Sequence, residues 1–204
     1  MATLVRVHPR FLRNVDGDEP LMLGSFSSTV GGGEQPYYRE VASQTYGVGA
    51  WVYHDTNGAT AIVTDSSGVV TSVIAGAAQK AATGVTSAPV MIHAVRPAER
   101  WLMNVYHATA ASAVTNHNQL GDRFGLIIIS GKIHVDIENT TVEDATTASA
   151  RVQVTGFYTD WWFDTSGNHI KVAIGDIYGL VEVKPLQLSI ATDGDPRAFV
   201  LQHG

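Results

Sequence analysis

Val48-Gly49-Ala50-Trp51-Val52-Tyr53 is apolar and aromatic, and after His54 the chain runs into Asp55-Thr56-Asn57-Gly58. An Asn-Gly pair next to such a run is a strong hairpin signal, because both residues tolerate the positive φ that a tight two-residue turn demands. Residues 61–64 then read as a short strand, Asp65-Ser66-Ser67-Gly68 as a second hairpin turn, and 69–74 as the next strand. Further strands are expected over 90–95, 101–107, 124–129, 133–137, 151–157, 169–174, 177–183 and 186–190. Between them, 75–86 is rich in Ala and Gly and could form a short helix, which Gly76 and Gly84 disfavour. Residues 108–121 read as a loop of small and polar residues. Short strands separated by turn signals every ~8–12 residues predict an all-β sandwich or barrel of short antiparallel strands. The expected core is Trp51, Val52, Ile62, Val70, Ile92, Leu102, Val105, Leu126, Ile128, Val154, Val172, Ile174, Leu180 and Val183.

Upstream the texture changes. Leu4, Val5 and Val7 alternate weakly among Arg6, Arg10 and Arg13, an acidic turn-rich stretch follows at 14–20, and 25–33 is rich in Ser and Gly. Residues 1–45 show too little apolar periodicity to bury a core of their own. They are expected to form an extended N-terminal arm with one or two anchoring strands, leaving 46–204 as the β body; such an arm gains stability by docking on its own body or on a neighbour, and a partner surface or neighbouring copy is the expected dock. Arg6, Arg10 and Arg13 are expected to face acidic groups on a partner or a neighbouring copy.

Composition excludes several classes. The chain has 204 residues, enough to bury a core without a covalent or metal staple. Charged residues make up 16%, against a usual ~25%, which disfavours coiled coils and exposed helical bundles. Net charge is −6 with only 13 Lys and Arg, so the basic stripe of a nucleic-acid binder is missing. With no Cys, thiol chemistry and disulfides are ruled out. No apolar run approaches the ~18 residues of a membrane-spanning helix, and no apolar segment of a signal peptide follows the basic start. Neither a membrane nor export by the usual route is expected.

Two clusters could carry chemistry. His134, Asp136 and Glu138 alternate with Ile133, Val135 and Ile137, which puts the three polar residues on one face of a strand. That face reads as the solvent side of an amphipathic strand; its alternative is a divalent-metal or acid–base site, for which no fourth ligand is adjacent. The second is Phe157-Tyr158-Thr159-Asp160-Trp161-Trp162-Phe163-Asp164, with the turn Thr165-Ser166-Gly167-Asn168 behind it. These aromatics are compatible with core packing, a protein interface or a sugar-stacking platform. Gly31-Gly32-Gly33 lacks the Lys-Ser/Thr of a phosphate loop, and no nucleophile elbow or zinc-protease motif occurs. Asp16-x-Asp18-Glu19 and Asp193-x-Asp195 lack the ligands of a full calcium loop. No enzyme, cofactor or metal is therefore expected.

One internal likeness stands out: Gly121-Asp122-Arg123-Phe124-Gly125-Leu126-Ile127 and Gly175-Asp176-Ile177-Tyr178-Gly179-Leu180-Val181 share Gly-Asp-x-aromatic-Gly-Leu-aliphatic. It reads as one turn-to-strand solution used twice, the second Gly giving room for close packing or a bulge.

The Cys-free, short-stranded, Ala/Gly/Thr/Val-rich body with its N-terminal arm resembles the capsid decoration (cement) proteins of tailed bacteriophages. The segments 125–135 and 175–181 are similar in style to the barrel strands of that family. The resemblance implies a non-enzymatic virion protein, made in the host cytoplasm and bound to the capsid exterior. It implies contacts with the major capsid protein that stabilise the shell, and a symmetric homo-oligomer, with a trimer favoured. Arg6, Arg10 and Arg13 would then contact the shell, and Tyr158, Trp161, Trp162 and Phe163 a neighbouring subunit. The rival reading of the same aromatics is a carbohydrate-binding β-domain associated with a tail or fibre.

Overall fold

The computed structural model describes residues 1–15, 22–23, 39–40, 42–54, 60–62, 68–69, 74–86, 88, 90–96, 98–138 and 151–186. Their strands are β1 (Arg10–Asn14), β2 (Met22–Leu23), β3 (Arg39–Glu40), β4 (Trp51–His54), β5 (Thr60–Ile62), β6 (Gly68–Val69), β7 (Ile74–Ala78) and β8 (Ile92–Ala94). There follow β9 (Glu99–Tyr106), β10 (Arg123–Ile129), β11 (Lys132–Asp136), β12 (Val152–Phe157), β13 (Trp161–Phe163), β14 (His169–Lys171) and β15 (Leu180–Pro185). Two 3-10 turns, Ala110–Ser112 and His117–Gln119, interrupt the expected loop, and no α-helix occurs among the described residues. The chain is all-β, as its turn spacing predicts.

Contacts divide it into two compact units: 1–16, 66–71 and 97–187, and 17–65, 72–96 and 188–204. The boundary expected at 45/46 coincides with neither. In the first unit β9, β11, β10, β12 and β15 form a ring, closed by pairing of β15 with β9. All its pairs are antiparallel except β11 with β9. Register fixes which side chains point inward, since partners and alternate residues share a face. Leu126 opposes Val135, Val135 opposes Val105, Trp101 opposes Val183, Val183 opposes Val154, and Phe124 opposes Val152. The interior is therefore Trp101, Met103, Val105, Phe124, Leu126, Ile128, Ile133, Val135, Val152, Val154, Val181 and Val183, every one buried. Closing the ring removes the edge strands an open sheet would leave exposed.

The barrel's outer face carries a second, smaller core. Leu4, Leu102, Trp162, Val172 and Leu180 are buried together, with Ala2, Val7, Tyr158 and Ile170 against them. Here the expectation for the N-terminal arm is corrected: residues 1–15 lie on their own barrel. β1 pairs antiparallel with β9, Leu4 N donates to Ile177 O, and Val5 N donates to Phe163 O. Asn104, buried in the middle of β9, accepts from Val7 N at 3.0 Å and donates to the carbonyls of Val5 and Tyr178. Asp176 accepts from Ala2 N at 2.7 Å. A segment without its own core obtains one here by adding Leu4 to a cluster the outer sheet face already offers.

In the second unit the sheet order is β2-β8-β7-β4-β5-β3, packed on a cluster of Tyr46, Ala50, Val52, Ala78, Val90 and Ile92. The Ala/Gly-rich segment that had helical composition supplies β7, and Gly76 explains why. A Cβ at Gly76 would lie 2.4 Å from His93 O and 2.9 Å from Ile92 Cδ1 on β8. Gly76→Ala is accordingly expected to destabilise this unit by about 1–3 kcal/mol through overpacking, read by urea unfolding. The buried Glu40 carboxylate ties 83–84 down, accepting from Thr83 N and Oγ1 at 2.8 Å and from Gly84 N. Burial and the nearby Glu40 push the Tyr46 phenol up to about 12.

Of the expected core, eleven residues are buried and Ile174 is half-buried; the side chains of Ile62 and Val70 lie outside the described residues. The turn at Asn57-Gly58 also lies outside them, although its flanking strands β4 and β5 pair antiparallel. At the second turn, Ser67 lies outside the described residues, and Gly68 belongs to β6, opposite Ile128.

Candidate functional site

The aromatic run becomes the hairpin β13–β14. Its turn is built by Asp164, whose Oδ1 accepts from Ser166 N and Asn168 N and whose Oδ2 accepts from Asn168 Nδ2. Gly167 sits at φ +84°, a conformation that costs glycine little. Hydrogen bonds, that from the Asn168 side chain first, hold the Asp164 carboxyl below its usual range. Trp161 pairs with Lys171, Trp162 with Ile170, and Phe163 with His169. Period-two alternation then separates two faces. Trp162 and Ile170 point inward onto the cluster around Leu4, and Trp162 is 7% exposed.

The inner face is firmly held. Tyr158 meets the Trp162 ring edge-on at 5.8 Å, and the Arg10 guanidinium lies 4.7 Å over the same ring. Tyr158 Oη donates to Trp161 O at 3.1 Å. The opposite face presents Trp161, Phe163, His169 and Lys171 to solvent, with Trp161 53% and Phe163 52% exposed. The His169 imidazole leans on both rings, with centroids 5.1 Å away and tilts of 34° and 32°. Because both rings lean on a shared neighbour, the group forms a compact apolar ridge more than an open flat platform.

The other expected interface residues are engaged within the chain. Arg6 lies 4.9 Å over the Tyr178 ring, Arg10 over Trp162, and Arg13 Nη2 donates to both Glu182 oxygens at 2.9 and 2.8 Å. Trp162 is core, and Tyr158 braces it. Of the aromatic run, Trp161 and Phe163 are the exposed members of β13.

Two of the alternating trio, His134 and Asp136 on β11, depart from their expected exposure. His134 and Asp136 do point away from the barrel interior, but they are buried, His134 completely. The N-terminal segment lies over this side, with Lys132 Nζ donating to Arg6 O at 3.0 Å. Glu138 is exposed and accepts from Ala108 N. Among the described residues no group of three His, Asp or Glu side chains is placed to hold a metal ion. The acidic turns at 16–19 and 193–195, and Gly31-Gly32-Gly33, lie outside the described residues.

A groove of about 230 Å³ runs beside Leu12, Arg13, Leu102, Phe157, Tyr158 and Glu182. Its one carboxylate is occupied: Glu182 accepts from Arg13 and from Thr155 Oγ1, with Arg100 Nε at 3.9 Å. The two Gly-Asp repeats share a turn glycine at positive φ, Gly121 at +89° and Gly175 at +97°. They then diverge, since Gly125 lies within β10 whereas Gly179 precedes β15 and packs on Thr115, whose Cγ2 a Cβ there would meet at 2.7 Å. The chain matches no protein-family model, no curated protein and no solved structure.

Proposed function

We propose that this chain is a non-enzymatic docking protein, a decoration subunit on the exterior of a tailed-phage capsid, and that the outer face of β13–β14 is its contact ridge. The supporting observation is the division of the aromatic run. Trp162 anchors the hairpin to a rigid barrel, while Trp161 and Phe163 stand half out of it around His169. Large aromatics held on a rigid element suit the centre of a protein contact, where they bury much area for little lost conformational freedom. A decoration protein needs no strong single contact, because many copies on one shell multiply a modest one. The major capsid protein is the proposed shell partner, and a symmetric homo-oligomer, preferably a trimer, the proposed form.

Substitutions on the ridge test this reading against sugar binding. Trp161→Ala with Phe163→Ala is expected to fold normally and to lose at least about tenfold in affinity for capsid shells, since two exposed aromatic anchors at a contact are together worth about 2 kcal/mol or more. Co-sedimentation with empty shells reads this directly. Retained shell binding by the double variant contradicts the proposed ridge, and glycan-array binding lost on the same substitutions replaces it with the carbohydrate reading.

A further inference from the structure

The geometry points to a second device, independent of the ridge: residues 1–9 are an acid-released strap, latched over the buried neutral imidazole of His134. His134 is 0% exposed, and neither ring nitrogen has a hydrogen-bond partner. Its ring stacks on Tyr106 of β9, with centroids 6.3 Å apart and planes 20° from parallel. Across the ladder on β10 lies the apolar Ile127. From its own strand it is flanked by Lys132 and Asp136, and from the strap by Arg6 and His8. His8 Nδ1 is also buried without a partner. Lys132 donates to the Arg6 carbonyl, so strap and cation sit on this side of β11 together.

A neutral imidazole fits this site as an apolar ring would, at the cost of two unpaired nitrogens. A protonated one does not fit. It would be a buried charge with three cationic or titratable neighbours, Arg6, Lys132 and His8; the carboxylate on its own strand, Asp136, accepts from Glu138 N. Burial first, then Arg6, Lys132 and His8, lower the His134 pKa from 6.5 to about 3. Burial and Lys132 lower that of His8 as well. The docked strap therefore binds fewer protons than the released one. Docking is at full strength above about pH 6.5 and weakens as pH falls from there toward 3, by about tenfold per pH unit for each histidine that takes up a proton on release. Release uncovers Leu102 and Leu180 on the barrel's outer face, where Leu4 packs in the docked state.

Amide hydrogen exchange, corrected for the intrinsic rate, tests this on Leu4, Val5 and Val7, which donate to Ile177 O, Phe163 O and Asn104 Oδ1. In the full chain their protection is expected to fall by at least about 50-fold, the share of His134 alone, between pH 6.5 and 4.5 while the barrel amide of Val154 stays protected. His134→Phe is expected to remove that share, leaving only the part that His8 carries. An equal fall in the variant overturns the proposal, because it assigns the effect to Asp176, Glu182 or other carboxylates; a flat profile in the unsubstituted chain overturns it too. Should the variant not fold, the imidazole resonances of the unsubstituted chain decide. His134 is expected to stay neutral while the strap amides are protected and to protonate with their loss; titration near pH 6.5 under a docked strap overturns the latch.

Discussion

Trp162→Ala is expected to destabilise the barrel unit by about 3–5 kcal/mol, whereas Trp161→Ala, one residue away, is expected to change stability by less than about 1 kcal/mol. The contrast follows from the alternation on β13. Truncating Trp162 opens a cavity between Leu4, Leu102, Val172 and Leu180, and removes the ring on which Tyr158 and Arg10 rest. Truncating Trp161 removes a half-exposed side chain whose main ring contact is His169. Urea unfolding of the two variants reads the difference. Equal losses would mean that the hairpin does not present the two faces described, and the contact ridge would fall with it.

Removing residues 1–9 has the second large effect. From the sequence alone, an arm that lies on a partner is expected: deleting residues 1–30 would leave a folded body and weaken particle binding. The structure predicts a loss of several kcal/mol. Leu4 alone, fully buried, is worth about 2–5 kcal/mol, and the Asn104 hydrogen bonds with Val5 and Val7 add about 0.5–1.5 kcal/mol each, that to Tyr178 O being kept. With a conversion of about 4–8 °C per kcal/mol for a domain near 100 residues, the melting temperature of this unit is expected to drop by about 12 °C or more. The interior from Trp101 to Val183 remains, so a cold, folded but weakened barrel is the expected product. A truncated chain melting within about 5 °C of the full one contradicts the docking of this segment.

The parts of the fold that were legible in the sequence are those that local pattern determines. Apolar runs such as Phe124 to Ile129 could only be strands, and their interior residues follow from alternation once two partners are known. What local pattern could not reveal was what covers the other face. Ile133-His134-Val135-Asp136 alternates like a half-solvated strand, yet both of its faces are buried, because a segment more than a hundred residues earlier lies across it. The buried Asn104 is a sequence signal of that cover: a lone carboxamide inside Trp101-Leu102-Met103-Asn104-Val105 needs partners, and Val5 and Val7 of the strap supply two of its three, Tyr178 O the other. At 75–86 the Ala-rich composition suggested a helix that Gly76 argued against, and Gly76 proves to be the residue that lets β8 approach. At the candidate site, residue types pointed to the aromatic run, while the turn geometry at Asp164 and Gly167 decided which rings face out.

The most direct test of the proposed function is the melting temperature of empty tailed-phage capsid shells, measured by scanning calorimetry with and without the purified protein. The account predicts that the unsubstituted chain raises the shell transition saturably, one protein complement per lattice site, and that the chain carrying Trp161→Ala and Phe163→Ala does not. A shell transition unmoved by saturating unsubstituted protein would contradict the account.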